Sequence, residues 1–464
     1  MTHRNDPRFE SHLPLICLLV LVLASPAWAS GKEQVLYRFQ GIPDGSFPVG
    51  GVVFDSNGNL YGATTEGGAL GHTCDSVYEC GTVYQLTPQG STWNETILHT
   101  FHGHWHGDGA SPFGSLIVDS ANNLYGTTSY GGTGGCLLLG GPVGCGTVYE
   151  MSPPQNEGAD WTYTVLYSFR GGKDGYLPTG NLVFDAKGNL YGATYYGGGY
   201  GTCDKGIYPY CGTVFELTPP KAKGGKWTEK VLYSFKSGTD GADPNGNLVF
   251  DKKGAIFGTT FFGGNQGCPQ DGGVGCGTVF KLSPPVKRGH AWGYEVLHRF
   301  NNGPQSVQGD GVNPAAGVVL GEHGVIYGTT ERGVTAEGTV FSLTPPANKG
   351  GPWTESLLHL FGFMHYDGWF SLGLLFDAKG DLYGLTASAG KYGDGIIFRL
   401  RQQSDESKRW AYSNLYDFMG IPDGEEPSGY LTFDQNGNLY GVTQLGGTGD
   451  CEEGGCGTVF EFTP

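Results

Sequence analysis

The residues of this sequence best suited to metal chemistry are three histidines that alternate in one glycine-flanked segment. His102, His104 and His106 lie within residues 101–108, which read Phe-His-Gly-His-Trp-His-Gly-Asp. Neutral imidazoles are good ligands for copper and zinc, so a curled loop could present several of them to one ion. No other part of the sequence repeats the cluster. A solvated turn is the alternative, and we favour it.

Seven aspartates, each followed by glycine, recur along the chain. They are Asp44, Asp108, Asp174, Asp240, Asp310, Asp367 and Asp423. If they surround a channel, their clustered carboxylate oxygens would suit calcium as a bound cofactor. The favoured alternative is structural, because Asp opens turns by accepting hydrogen bonds from backbone amides and Gly readily follows it.

Aromatic residues in polar, glycine-rich segments are candidate contacts for the faces of sugar rings. They are Trp105, Tyr130, Tyr195, Tyr196, Tyr200, Phe261, Phe262, Tyr366, Trp369 and Phe370. The alternative is that these rings pack their own loops against neighbouring parts of the fold.

Ten of the eleven cysteines form five close pairs. The pairs are Cys74 with Cys80, Cys136 with Cys145, Cys203 with Cys211, Cys268 with Cys276, and Cys451 with Cys456. Two cysteines per loop without a repeated histidine fall short of a four-ligand zinc set. We therefore predict five disulfides, which are typical of exported proteins.

Signals of catalysis are weak. The sequence contains no nucleophile elbow, phosphate loop, dinucleotide fingerprint or HExxH zinc motif. Carboxylates are plentiful, so catalysis by a pair of carboxyl groups, one acid and one base, remains an alternative for a glycan substrate. We assign no catalytic and no cofactor-binding residue.

The elements that must position these residues are strands. The chain has 84 glycines in 464 residues, 13% aromatic and 38% hydrophobic residues. Glycine is costly in helix interiors, which excludes a helical bundle, and the apolar content excludes a disordered polymer. The net charge of −17 argues against nucleic acid or an anionic membrane surface as partner.

One unit is repeated seven times. In the third copy, Asp174 opens the unit, NLVFD ends at Asp185, GNLYGAT spans residues 188–194, and GTVFELTPP begins at Gly212. Four strand-prone segments per unit, separated by turn residues, predict an all-β fold, a seven-bladed β-propeller with four strands per blade. A stacked solenoid is the alternative, but neither end has a polar cap.

The two ends of the chain complement each other. Residues 33–39 read as an orphan outer strand, and the chain ends at Pro464 after the third strand of the last unit. We expect the N-terminal strand to complete the last blade and close one domain over residues 30–464, which removes two exposed sheet edges. In such a propeller the Asp-Gly loops and the cysteine loops share one face, where binding usually resides.

The first 29 residues read as a signal peptide that is cleaved near Ala29. Arg4 and Arg8 precede an apolar run over residues 13–24, and Ala27 and Ala29 supply the small residues of a cleavage site. A lipoprotein signal at Cys17 is the alternative, but bulky Ile16 precedes it. We expect a secreted protein, extracellular or periplasmic, with no membrane span in the mature chain, and a monomer.

The repeat resembles the GloVer tandem-repeat family, whose units carry GNLYGTT, a double glycine and GTVF. The resemblance extends from about Val35 to Pro464. It implies an exported repeat protein, often attached to a surface through a C-terminal anchor, and it implies no particular activity. This sequence stops directly after its last strand, so the resemblance leaves attachment open.

We therefore expect a secreted, non-catalytic binding module. Its expected partner is a carbohydrate, another extracellular polymer or a protein surface. The alternatives are an extracellular carbohydrate-active hydrolase or lyase that uses acidic residues of the loop-bearing face, and a purely structural envelope protein.

Overall fold

Strands provide nearly all of the regular structure. The computed structural model describes residues 31–68, 80–138, 141–156, 158–199, 210–222, 224–264, 268, 275–287, 289–301, 310–333, 337–362, 367–403, 410–451 and 454–464. Within these ranges there are β-strands and three-residue 3-10 turns at His104–His106, Gly172–Asp174 and Glu322–Gly324, and no α-helix. The leader expected over residues 1–29 lies outside them.

In the described residues, the strands form seven four-stranded antiparallel blades, each running from an inner to an outer strand. Blade 1 is β2 (Ser46–Phe54), β3 (Leu60–Glu66), β4 (Thr82–Gln89) and β5 (Thr92–Thr100). Blade 2 is the divided inner strand β6 (Gly109–Pro112) and β7 (Ile117–Val118), then β8 (Leu124–Gly131), β11 (Thr147–Ser152) and β12 (Thr162–Ser168). A small hairpin, β9 (Leu137–Leu138) and β10 (Gly141–Pro142), lies within the loop of blade 2.

The next three blades repeat this order. Blade 3 is β13 (Tyr176–Pro178) with β14 (Val183–Phe184), then β15 (Leu190–Tyr196), β16 (Tyr210–Thr218) and β17 (Thr228–Ser234). Blade 4 is β18 (Ala242–Phe250), β19 (Ile256–Phe262), β20 (Thr278–Ser283) and β21 (Gly293–Arg299). Blade 5 is β22 (Val319–Leu320), β23 (Ile326–Thr330), β24 (Thr339–Thr344) and β25 (Thr354–Leu360).

The last two blades close the ring. Blade 6 is β26 (Trp369–Phe376), β27 (Leu382–Ser388), β28 (Ile396–Gln402) and β29 (Trp410–Asp417). Blade 7 is β30 (Glu425–Phe433), β31 (Leu439–Leu445) and β32 (Thr458–Thr463), completed by β1 (Lys32–Arg38). β1 pairs antiparallel with β32 from Lys32 opposite Thr463 to Arg38 opposite Thr458. The predicted seven-bladed propeller and its closure by the N-terminal strand are confirmed.

The hydrophobic core lies within and between the blades. In blade 3, Phe215 of the GTVF segment covers Gly192 so closely that a Cβ there would lie 2.6 Å from the Phe215 ring. Phe169 at the end of the preceding outer strand meets Phe215 edge to face, with ring centroids 5.1 Å apart. All seven blades have such a buried phenylalanine, which stabilises the fold by about 1.5–3 kcal/mol each: Phe39, Phe101, Phe169, Phe235, Phe300, Phe361 and Phe418.

A buried threonine pair joins the second and third strands of six blades. In blade 3 the hydroxyls of Thr194 and Thr213 lie 2.8 Å apart. In blade 6 the partner of Thr386 is Ile396, because the GTVF phrase has become Gly-Ile-Ile-Phe. There the Thr386 hydroxyl donates to the Ser388 carbonyl. The GTVF phrase thus encodes both the aromatic core and a buried hydroxyl pair.

Three of the five predicted disulfides lie wholly within the described residues. They join Cys136 to Cys145, Cys268 to Cys276 and Cys451 to Cys456, with Cα atoms 5.1–5.5 Å apart. Cys80 and Cys211 are also disulfide-bonded, and their predicted partners, Cys74 and Cys203, lie outside the described residues.

The disulfide loops and the Asp-Gly loops lie against each other on one face. The double-glycine amides that open the cysteine loops donate to carbonyls of the Asp-Gly loops, as from Gly198 to Gly172 and from Gly264 to Gly238. Within the part of the chain that the structure describes, no helix is long and apolar enough to span a membrane.

Candidate functional site

The inner strand of each blade begins with a short segment that turns side chains towards the central channel. In six blades it reads x-Pro-x-Gly or x-Pro-x-Ala, and blade 6 has Ser371 in place of proline. The first residue has a positive φ of 51–60° in every blade, as in Leu177 at 60°. The third residues line the channel: Val49, Phe113, Thr179, Asn245, Ala315, Leu372 and Ser428.

Tyr430 of blade 7 extends across this channel. Its hydroxyl accepts hydrogen bonds from the backbone amides of Asn247 in blade 4 at 3.3 Å and Gly317 near blade 5 at 3.0 Å. Its ring packs against Gly373, where a Cβ would lie 2.0 Å from the ring. Burial raises the pKa of Tyr430, so the phenol stays neutral. The side chain therefore bridges opposite sides of the ring.

A cavity of about 430 Å³ opens at the mouth of the channel on the face of the Asp-Gly loops. Residues of blades 1 to 4 line it, and Phe113, Thr179 and Asn245 belong to both this cavity and the channel. The lining combines three aromatic rings and one carboxylate with hydroxyl, amide and aliphatic side chains: Thr65, Glu66, Ser111, Phe113, Ser129, Tyr130, Leu177, Thr179, Tyr195 and Asn245.

A buried carboxyl group lies beside this cavity. Asp243 is fully buried two residues before the lining residue Asn245, and its carboxyl group faces the hydroxyl of Tyr195, which lines the cavity. Burial raises the pKa of Asp243 to about 8, and the Tyr195 hydroxyl offsets this only in part. Asp243 is therefore largely protonated at neutral pH and can act as an acid or a hydrogen-bond donor.

The structure brings some of the predicted aromatic residues to the cavity and others elsewhere. Tyr130 and Tyr195 line it. Tyr196 packs against Tyr176 and Tyr195, and Phe261 packs against Phe262. Trp369 is 41% exposed and stacks on Phe370 in blade 6. Tyr200, Tyr366 and the side chain of Trp105 lie outside the described part of the chain.

All seven aspartates of the Asp-Gly pairs are held at a junction between blades. Each accepts a hydrogen bond of 2.7–3.1 Å from a backbone amide earlier in its loop, as from Arg170 to Asp174. Each also lies 2.6–3.3 Å from a tyrosine hydroxyl or histidine nitrogen at the end of the preceding outer strand. Each carboxylate is thus engaged within its own junction, and calcium binding by the seven stays an untested prediction.

A third side chain, from the outer strand of the following blade, completes each junction. It is glutamate in four junctions, which we call Glu junctions: Tyr37–Asp44–Glu95, Tyr167–Asp174–Glu229, His298–Asp310–Glu355 and Tyr416–Asp423–Glu33. It is tyrosine in three, which we call Tyr junctions: His99–Asp108–Tyr163, Tyr233–Asp240–Tyr294 and His359–Asp367–Tyr412. The two kinds alternate around the ring, except that two Glu junctions flank β1.

The histidine segment forms the Tyr junction between blades 1 and 2. His99 Nε2 lies 3.1 Å and His102 Nδ1 3.4 Å from the same oxygen of Asp108. Of the other predicted ligands, His104 has Nδ1 2.9 Å from the Gly132 carbonyl oxygen, and the exposed His106 ring lies 5.7 Å from that of His102. Of the three residues that meet, the sequence had suggested two as metal ligands: His102 through the histidine pattern and Asp108 through the Asp-Gly repeat.

Sequence reasoning missed His99 as a ligand and most of the cavity lining. His99 occupies the outer-strand position that holds tyrosine in four other junctions, and that comparison could have revealed it. Phe113 and Asn245 are variable positions within the repeated x-Pro-x-Gly segment. Variation at a fixed repeat position was the available signal, because channel-facing side chains are not needed for blade packing.

Seven antiparallel blades with a cavity at one channel mouth define the protein as a seven-bladed β-propeller. The chain belongs to the Gloeobacter/Verrucomicrobia repeat family, which matches residues 25–202, 73–300, 140–349 and 267–464. This confirms the resemblance seen in the repeated units. No curated protein matches the sequence.

Solved structures similar to this chain are distant. A putative 6-phosphogluconolactonase from Bacteroides uniformis has 15% identity and a TM-score of 0.47, over 80% of this chain and 87% of that one. The PQQ-bound aldose sugar dehydrogenase of Streptomyces coelicolor has 15% identity and a TM-score of 0.39, over 94% and 98%. Pseudomonas fluorescens PhoX in complex with vanadate has 12% identity and a TM-score of 0.43, over 94% and 95%. At these identities no activity transfers to this chain.

Proposed function

We propose that the protein is a secreted, non-catalytic binding module whose cavity at the channel mouth takes a carbohydrate or a segment of another extracellular polymer. The observation that carries the proposal is the cavity of about 430 Å³ with Phe113, Tyr130 and Tyr195 in its lining. Aromatic faces stack on the apolar faces of sugars, and the hydroxyl and amide groups of the lining can pair with sugar hydroxyls.

The charge of the cavity fits a neutral or weakly cationic ligand. Among the described residues, Glu66 is the one carboxylate that lines the cavity, and none of the lining residues is basic. The net charge of the chain is −17, which disfavours polyanions such as sulfated glycans. Secretion follows from the expected signal peptide and agrees with the disulfides, which persist in oxidising compartments.

A glycan array followed by calorimetry tests the proposal. We expect Tyr130→Ala and Tyr195→Ala to weaken binding about 2- to 12-fold, because an aromatic stacking contact contributes about 0.5–1.5 kcal/mol. Tyr392→Ala is the matched control, since Tyr392 is 49% exposed and does not line the cavity. Failure of every glycan to bind, or equal binding by wild type and both cavity variants, would contradict the proposal.

One observation favours a second candidate, a carbohydrate-active hydrolase or lyase. Burial raises the pKa of Asp243 to about 8 and so holds it protonated, Glu66 lines the cavity, and glycosidases pair a carboxylic acid with a carboxylate. Assay of the bound glycans for released products separates the two candidates. Release that Asp243→Asn or Glu66→Gln abolishes favours the enzyme, and binding without release favours the binding module.

A further inference from the structure

Three metal-ligating side chains, none of which lines the cavity, meet at the junction between blades 1 and 2. His99 Nε2, His102 Nδ1 and a carboxylate oxygen of Asp108 all lie within 4.8 Å of one another. The two nitrogens lie 3.1 Å and 3.4 Å from Asp108 Oδ2. Among the described residues this is the one group of three or more such side chains so placed.

These spacings suit a shared ion. Zinc lies about 2.0–2.1 Å from imidazole nitrogen and at a similar distance from carboxylate oxygen, which places neighbouring ligand atoms of a tetrahedral site about 3.3 Å apart. The distances from Asp108 Oδ2 to the two histidine nitrogens, 3.1 Å and 3.4 Å, lie on either side of that value. Two nitrogens and one oxygen are also a ligand set that copper(II) accepts.

Packing fixes two of the three side chains. The His99 ring stacks on Tyr163, with centroids 3.9 Å apart and an interplanar angle of 2°. Asp108 accepts hydrogen bonds from the backbone amides of Gly109 at 2.7 Å and His102 at 3.0 Å. The bond from the His102 amide also fixes the backbone that carries the third imidazole. Two of the three ligands are therefore held in place before any ion binds.

Comparison with the other junctions shows that the fold does not require the third ligand. The residue whose amide binds the aspartate is His102 here, whereas it is Asn301 beside His298 and Asp310, and Gly362 beside His359 and Asp367. Among the described residues, neither of those two positions places a second imidazole beside the histidine–aspartate pair. The pair is thus part of the repeated architecture, and His102 is the addition that completes a set of ligands.

The site is open on one side. The His102 side chain is 45% exposed, whereas that of Asp108 is 8% exposed. The exposed His106 ring lies 5.7 Å from the His102 ring, on the same loop. We propose that His99, His102 and Asp108 bind one divalent transition-metal ion of the zinc or copper class, with the remaining position open to water or His106. This proposal is independent of the cavity and its ligand.

Calorimetric titration of tag-free, EDTA-treated protein with zinc and with copper(II) tests the site. We expect one equivalent of metal per chain and a higher melting temperature in its presence, because binding to the folded state alone stabilises it. His102→Asn should weaken binding at least about 10-fold, since it removes one of three ligands. Asparagine occurs at this position as Asn301, so the variant keeps a side chain that the fold already accepts.

His104→Ala is the matched control, because His104 contacts the Gly132 carbonyl instead of Asp108. It should bind metal as the wild type does. The proposal is overturned if neither metal binds at submillimolar concentration, or if wild-type and His102→Asn proteins of equal melting temperature bind equally. It is also overturned if His104→Ala loses the metal while His102→Asn keeps it.

Discussion

The seven blade junctions share one hydrogen-bonding scheme and differ at one position of the outer strand. In the Tyr junctions a ring from the next blade stacks on the residue beside the aspartate, as Tyr294 does on Tyr233 with centroids 3.9 Å apart. In the Glu junctions a second carboxyl group lies beside the first, as Glu229 does beside Asp174. The aspartate that closes the turn is therefore the same in every repeat, whereas the outer-strand residue beside it is either tyrosine or glutamate.

The consequence is a difference in protonation. Burial, followed by the charge of the neighbouring aspartate, raises the pKa of Glu33 to about 8 and of Glu95, Glu229 and Glu355 to about 7. In the Tyr junction between blades 1 and 2, burial alone would raise the pKa of Asp108, but the hydrogen bond and charge of His99 outweigh it and hold that pKa below its usual value. The Glu junctions therefore hold a proton on the glutamate, whereas at Asp108 the histidine stabilises the charged aspartate.

The largest expected effect comes from removing the strand between two Glu junctions. Deletion of residues 33–39 removes Glu33 and Tyr37 from the two junctions and buried Leu36 and Phe39 from the core. Loss of a buried leucine or phenylalanine side chain costs about 2–5 kcal/mol once the cavity that it leaves is included. We expect the melting temperature to fall by more than about 10 °C, measured by scanning calorimetry.

The control for this deletion is Tyr37→Phe, which keeps β1 paired and removes the hydroxyl that donates to Asp44 at 3.0 Å. It should cost only about 0.5–1.5 kcal/mol, the net worth of one hydrogen bond. An unchanged melting temperature in the deletion would show that β1 does not close the ring in solution. If Tyr37→Phe lowered the melting temperature as much as the deletion does, the stability would come from the Tyr37–Asp44 hydrogen bond and not from the pairing of β1.

The next largest effect is the loss of stability on replacing the aspartate of a Tyr junction, which should differ between Asp108 and Asp240. Asp108→Asn in metal-free buffer should cost about 1–3 kcal/mol at pH 7, because it removes a charge that His99 stabilises. A lowered pKa contributes stability above the unfolded value of about 4, and this is lost as pH falls through the folded pKa. The cost should therefore shrink near pH 3, as measured by chemical denaturation.

Asp240→Asn is the matched variant in the Tyr junction between blades 3 and 4. Burial raises the pKa of Asp240, although the hydrogen bond from Tyr233 opposes this. The surroundings thus oppose the charged form at Asp240 and favour it at Asp108, so a neutral amide should cost less here than at Asp108. Equal losses at the two positions would show that the histidine makes no difference to the junction.

The architecture was predictable because the same turn and strand motifs recur in every blade. Gly212 and the segment after it recur, so turns, the aromatic core and the disulfides could be placed by counting, and the complementary chain ends predicted the pairing of β1 with β32. In blade 6 the segment that begins at Gly395 departs from the GTVF sequence of the other blades, yet β28 still forms there. Its fold depends on apolar residues more than on the threonine hydroxyl.

The sites were less predictable because they depend on contacts between blades. Tyr430 meets the amides of Asn247 and Gly317 across the channel, at sequence separations of 183 and 113 residues. His99 joins His102 only because the outer strand ends where the loop turns back. A repeat alignment locates such positions, but only the closed ring shows which of them meet.

The smallest expected effect concerns the stored proton of the Glu junctions. Glu229 has a folded pKa of about 7 against an ordinary value of 4.5, so the folded state binds this proton more tightly than the unfolded chain. Stability from this source is present below about pH 4.5 and is lost as pH rises through 7. Glu229→Gln imitates the protonated group. It should raise the melting temperature by about 1–3 °C at pH 8 and change it little at pH 5.

Tyr163→Phe provides the comparison for Glu229→Gln, because Tyr163 holds the same position in a Tyr junction. Burial and the charge of Asp108 raise the pKa of Tyr163 well above its ordinary value, so the phenol does not ionise between pH 5 and 8. Its substitution should shift the melting temperature equally at both pH values. If Glu229→Gln also acts equally at pH 5 and 8, Glu229 carries no stored proton. If Tyr163→Phe alone depends on pH, the division of the junctions into two electrostatic kinds is wrong.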